Sequence, residues 1–177
     1  MNGTHIKLQR IKIKISIQRR KYIMSIKSQQ INMKTIFGLV SQNLSYIYGE
    51  RESGPNGAKK QFHTKSKAFL RTLGNDLGLT EFKVSNNHGG IAVSGEITLM
   101  GLWTENDGIY LQLSQCITGK QEFLYRGISH MKDHSGGPNQ WMDLKLFKNG
   151  EYEEMVEKLL KLKKSTPTES VVSLNAA

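Results

Sequence analysis

The stretch Ile91–Ser114, IAVSGEITLMGLWTENDGIYLQLS, decides the fold. Ile91, Val93, Ile97 and Leu99 recur at alternate positions, and Ile109, Leu111 and Leu113 do the same after Glu105-Asn106-Asp107-Gly108. Alternation with period two is the mark of a strand with one buried face, and Asp-Gly between two such runs is a hairpin turn. Near Met100–Gly101 the apolar positions change phase, which predicts a bulge or bend there. The next segments keep the same texture. Thr118-Gly119-Lys120 predicts a turn, and Gln121–Ser129 a further strand. Upstream, Glu81–Ser85 reads as a short strand and Asn86-Asn87-His88-Gly89-Gly90 as a turn. An antiparallel meander of four or five strands follows, with Met142, Leu144 and Leu146 on a last short strand.

Helices flank this sheet. From about Ala58 to Leu77, Phe62, Ser66, Phe69, Leu70, Leu73 and Leu77 fall on one helical stripe, with Pro55 and Asn56 as starting signals and Gly74 and Gly78 near the end. Gly150–Lys164 predicts a second helix behind Asn149, its core stripe Tyr152, Met155, Val156, Leu159 and Leu160. Its glutamates come early and its lysines late, the order the helix dipole favours. Lys34–Tyr48 is apolar without a period that separates helix from strand. The expected fold is therefore α+β: one domain over residues 33–164, with an N-terminal amphipathic helix and a C-terminal helix packed on the sheet, and a disordered tail over 165–177.

A chain of 177 residues holds one domain with an adequate core. Its apolar runs are too short to span a bilayer, and one cysteine, Cys116, allows neither a disulfide framework nor a thiolate cluster, so a cytoplasmic setting is expected. Buried packing is the reading for Cys116. The formal net charge of +10 is unevenly placed. Residues 1–23 contain Lys7, Arg10, Lys12, Lys14, Arg19, Arg20 and Lys21 and no acid, so the other residues carry 18 basic against 15 acidic side chains. We expect translation to start at Met24 or Met33, because Gln18-Arg19-Arg20 is encodable as a purine-rich ribosome-binding site. The rival expectation is a basic arm for nucleic acid.

The densest chemistry lies in Phe123–Trp141, FLYRGISHMKDHSGGPNQW. Three readings stay open for its loop. His130 and His134, with Asp133, have the donor types for zinc, manganese or iron, although no glutamate follows the first histidine and the glycines argue against a shared helical face. Arg126, Lys132 and the backbone around Ser135-Gly136-Gly137 suit a phosphate, without the strand–loop–helix setting of a P-loop. The third is a plain turn at Gly136-Gly137-Pro138-Asn139, anchored on the core by Trp141. A general acid–base site would require His88, Arg126, His130 and His134 to converge. No Gly-x-Ser-x-Gly is present, and Ser94 reads as an outward strand position. No cofactor is expected.

The second candidate is the face of the first long helix opposite its core stripe, with Lys60, Lys67 and Arg71, flanked by Lys59, Lys65 and His63. No acid occurs between Ser53 and Asn75, and such a face suits phosphate contact without sequence readout. Its ordinary alternative is a solvated surface.

Gly89–Trp103 and Tyr125–Trp141 resemble motifs in uncharacterised small proteins of bacteriophages and bacterial mobile elements. The resemblance implies a bacterial or phage setting and carries no activity. Together these observations point to a non-enzymatic accessory protein that binds nucleic acid, or a host complex handling it, through Lys59, Lys60, Lys67, Arg71, Arg126 and Lys132. One alternative is a small metal-assisted phosphodiesterase or nuclease using Arg126, His130, Asp133 and His134. The other is an inhibitor of a host defence protein.

Overall fold

A computed structural model describes residues 23–41, 57–87, 95–115 and 121–164. In chain order these form helix α1 (23–41), helix α2 (Ala58–Asp76), strands β1 (Glu81–Asn87), β2 (Glu96–Thr104), β3 (Asp107–Gln115), β4 (Gln121–Ile128) and β5 (Gln140–Trp141), and helices α3 (Lys145–Asn149) and α4 (Tyr152–Leu160). The five strands pair antiparallel in the order β1-β2-β3-β4-β5, an uninterrupted meander.

The alternation in Ile91–Ser114 decides which face is buried. Ile97, Leu99 and Trp103 of β2 point inward, level with Ile109, Leu111 and Leu113 of β3 and with Phe123 and Tyr125 of β4. The phase does not change at Met100–Gly101. Gly101 keeps the inward position because Leu79 and Phe82 fill the space a side chain would take, a Cβ there lying 2.6 Å from Leu79 Cδ1. Met100 and Leu102 consequently face outward, and the irregularity in pairing comes later, between Leu102 and Thr104.

All the helices cover the inward face. On α2, Phe62, Ser66, Phe69, Leu70 and Leu73 are buried, as their spacing predicts. Gly74 lies inside the helix, close against the Phe82 ring, and the end is made by Gly78 at φ 68°. There the Leu79 N–H donates to the Gly74 carbonyl, satisfying one of the last helical oxygens. Trp103 ties this corner to the sheet by donating its indole N–H to Leu77 O at 2.8 Å.

The segment whose period was ambiguous is helical as far as residue 41. α1 buries Ile26, Gln29, Met33, Ile36 and Val40, a helical stripe that begins ahead of residue 33. Gln29 is polar but fully buried, and its amide donates to Phe69 O and to the Tyr152 hydroxyl, linking α1, α2 and α4. Tyr152 in turn donates to Asp76 at 2.6 Å. Residues 42–48, Pro55, Asn56, His88, Ser94, Cys116, the Thr118–Lys120 turn and the stretches 1–22 and 165–177 lie outside the described residues.

Two expectations at the C-terminal end are corrected. Met142, Leu144 and Leu146 do not make a strand: Gln140–Trp141 pairs with β4, and Leu146 is buried in α3 beside Phe147. The last helix does not start at Asn149. Gly150 adopts φ 75° and separates α3 from α4, whose N-cap is Glu151. The left-handed glycine lets the Gly150 N–H and the Glu151 N–H both return to Leu146 O, which stops one helix and turns the chain into the next.

Candidate functional site

Asp133 organises the loop that follows β4. One carboxylate oxygen accepts the Ser129 N–H at 2.8 Å and the Ser129 hydroxyl at 2.9 Å. The other accepts the N–H groups of Gly136 at 2.6 Å and Ser135 at 3.3 Å. Hydrogen bonds from Ser129, backbone and then hydroxyl, followed by Gly136, hold this carboxyl well below the usual carboxylate range. The charge serves the loop's own backbone, and its lone pairs are taken up.

Arg126 holds the same loop from the sheet. It projects from β4 on the face away from the helices, with its guanidinium over the ring of Tyr110, its partner across β3, at 4.5 Å from the centroid. Nη1 donates to Asn139 Oδ1 at 3.0 Å and Nη2 to the His134 carbonyl at 2.6 Å. Gly136 packs so closely on β4 that a Cβ would lie 2.5 Å from Gly127 O, and the next residue, Gly137, donates its N–H to that same oxygen. Close approach of loop to strand thus requires the first glycine of the pair, whereas a Cβ at Gly137 would be in ordinary contact, 3.6 Å from Gly127 O. Burial pushes the Tyr110 hydroxyl up, against a downward pull from Arg126, while Glu96 adds to the rise.

Of the four residues proposed for acid–base or metal chemistry, Arg126 and Asp133 are therefore structural struts of one loop. His130 and His134 are exposed, and the Lys132 N–H donates to His130 Nδ1 at 3.2 Å. Among the described residues no group of three or more His, Cys, Asp and Glu side chains is placed to hold a metal. Lys132 is exposed on the same loop. Trp141 does not anchor the turn on the core: it is 56% exposed, and its neighbour Met142 is buried, donating its N–H to Phe123 O. Beside the loop lies a cleft of about 440 Å³ whose walls include Asp107, Ile128, Asp133, Leu162 and Lys164. Asp107 closes one side by accepting the Lys164 N–H at 3.0 Å.

The helix surface divides the basic residues more sharply than their spacing suggested. Lys59 and His63 are buried, at 7% and 4% exposure, so neither belongs to the outer face. Lys60, Lys65 and Arg71 are exposed, while Lys67 is half-buried and donates to Asn86 Oδ1 at 3.4 Å. Lys27 and Lys34 on α1 are exposed as well. Sequence reasoning missed both: Lys34 opens the segment whose period left helix and strand unresolved, and Lys27 lies ahead of the expected domain. Neither helix has a carboxylate except Asp76, which receives the Tyr152 hydroxyl.

These features define the class: an α+β fold in which helices cover one face of a five-stranded antiparallel meander and an internally bonded polar loop caps its β4 end. No protein-family model, curated protein or solved structure matches the chain. No helix among the described residues is long and apolar enough to cross a membrane.

Proposed function

We propose that this protein is a non-enzymatic accessory module, of phage or mobile-element origin, that binds nucleic acid through phosphate contacts on the outer face of α1 and α2. The observation that supports it most is the exposure of Lys60, Lys65 and Arg71 on α2, and of Lys27 and Lys34 on α1, with no unengaged carboxylate on either helix among the described residues. Helix stability does not account for this arrangement. Lys60 sits in the first turn of α2, where the dipole disfavours a cation and no acid offsets it. In α4 the charges follow the dipole, with Glu153 and Glu154 first and Lys158 last. The hydrolytic alternative has less support, since Asp133 and Arg126 are engaged by the loop itself.

Fluorescence anisotropy with a labelled 20-base-pair DNA, titrated at several salt concentrations, tests this reading. Binding should weaken steeply with salt, and Lys60→Gln with Arg71→Gln should flatten the logarithmic salt slope by about two, one for each lost phosphate contact. Absence of salt-dependent binding, or an unchanged slope in the double variant, would overturn it.

A further inference from the structure

We infer that the face of the sheet away from the helices is a platform for the unpaired bases of a single-stranded nucleic acid, with Trp141 as its stacking ring. The inference rests on the reading that nucleic acid is the ligand and specifies which form of it this second surface takes. The registers align the outward side chains into rows across the strands. One row runs Ser85, Thr98, Gln112, Leu124, Trp141, and the next Lys83, Met100, Tyr110, Arg126. All but the rim positions are half-buried, a surface of mixed polar and apolar groups that no described helix covers, with the loop after β4 bonded to Arg126 at one end of it.

Three observations favour bases and phosphates as the occupant. First, Trp141 is 56% exposed on the edge strand, an unusual place to leave so large a ring and the arrangement on which bases stack without sequence preference. Second, the Tyr110 ring and Arg126 guanidinium are already stacked at 4.5 Å and fixed, the ring through its hydroxyl to Gln112 Oε1 at 2.7 Å and the guanidinium through Asn139 and the His134 carbonyl. A base laid on this pair meets a preorganised planar surface. Third, the charges are sorted. The two central rows contain Lys83 and Arg126 and no acid, whereas Glu96 and Glu122 lie in the flanking row on one side and Glu81 in the flanking row on the other. Phosphates are repelled from both flanks, so the ligand crosses the strands from Trp141 toward Lys83. Four strand spacings make that path about 19 Å long, a few nucleotides, and Lys132 is exposed on the loop that follows β4. A duplex hides its bases and cannot use this surface.

The test uses the full chain, labelled (dT)12 and a 12-base-pair duplex, with Trp141→Ala, Trp141→Phe and the Lys60→Gln/Arg71→Gln double variant. Trp141 is exposed, so its variants should keep the parent Tm. Trp141→Ala should weaken (dT)12 binding by about 5- to 150-fold, the loss of one stacked base, leave duplex binding unchanged, and abolish the quenching of tryptophan fluorescence by (dT)12. Trp141→Phe should restore most of the affinity. If Trp141→Ala leaves (dT)12 binding intact while the double variant loses the duplex, the platform is overturned and the helix reading survives. If Trp141→Ala alone has an effect, the platform stands and the helix reading falls. Binding of neither probe overturns both. Self-association that Trp141→Ala abolishes, without oligonucleotide binding, would assign the face to a second copy and overturn the platform.

Discussion

The Gly136 N–H donates to the Asp133 carboxylate at 2.6 Å, and the same carboxylate holds both the N–H and the hydroxyl of Ser129, four residues before it. A loop with this much internal bonding is a fixed shape, and its acid is kept charged by its own backbone.

Asp133 should make the loop acid-sensitive in a displaced range. An unfolded aspartate titrates near 3.9, and the folded carboxyl lies well below that. Its stabilising contribution is therefore complete above about pH 4 and is lost as the pH falls toward the folded value. Amide resonances of Ser129 and Gly136, followed from pH 7 downward, should stay put through pH 4 and shift only in stronger acid. Asp133→Asn should show shifted Ser129 and Gly136 resonances already at neutral pH. A midpoint near 4 in the parent protein would contradict the hydrogen bonding.

Gly108 and Gly127 should respond oppositely to alanine. A Cβ at residue 108 would run into the Gly101 carbonyl and the Leu102 side chain, whereas one at residue 127 has nothing nearer than the Gly108 carbonyl at 4.0 Å. Gly108→Ala should cost about 1–3 kcal/mol or more, seen as a Tm lowered by about 2–4 °C per kcal/mol. Gly127→Ala should leave Tm nearly unchanged.

Two adjacent lysines of α2 should separate in the same way. Lys59 is 7% exposed and Lys60 is on the outer face. Lys59→Ala removes a packed aliphatic stem and should destabilise by about 0.5–3 kcal/mol, while Lys60→Ala should stay within about ±0.5 kcal/mol. Urea midpoints with an unchanged slope would measure both. Equal effects would contradict the inward turn of Lys59.

The two methionines of α1 provide a check on that helix. Met33 is fully buried and Met24 is 71% exposed. Met33→Ala should cost about 2–5 kcal/mol, and Met24→Ala about ±0.5 kcal/mol, again by chemical denaturation.

Much of this was written locally. The alternation of Ile97, Leu99, Ile109, Leu111 and Leu113 and the Asp107-Gly108 turn determine a meander without reference to anything distant, since a period of two has only one buried face to offer. The α2 stripe is as plain, because six apolar or small positions at helical spacing admit one orientation. Gly101 shows where such reading stops: its phase looked broken because the side chains that fill its place, Leu79 and Phe82, come from another part of the chain. α1 shows the same limit, its buried Gln29 becoming intelligible only beside Phe69 and Tyr152.

The sequence by itself determined the α+β class, the strand order and the presence of a polar loop and a basic helix, all of which depend on residues close together in the chain. Only the tertiary structure decided which polar groups are available. Arg126 and Asp133 are residue types that suit catalysis or phosphate binding, yet they bond to backbone groups brought up by the fold of the loop. Lys59 turned inward and Trp141 outward because burial is set by what packs against a side chain, and the described helices cover only the opposite face of the sheet.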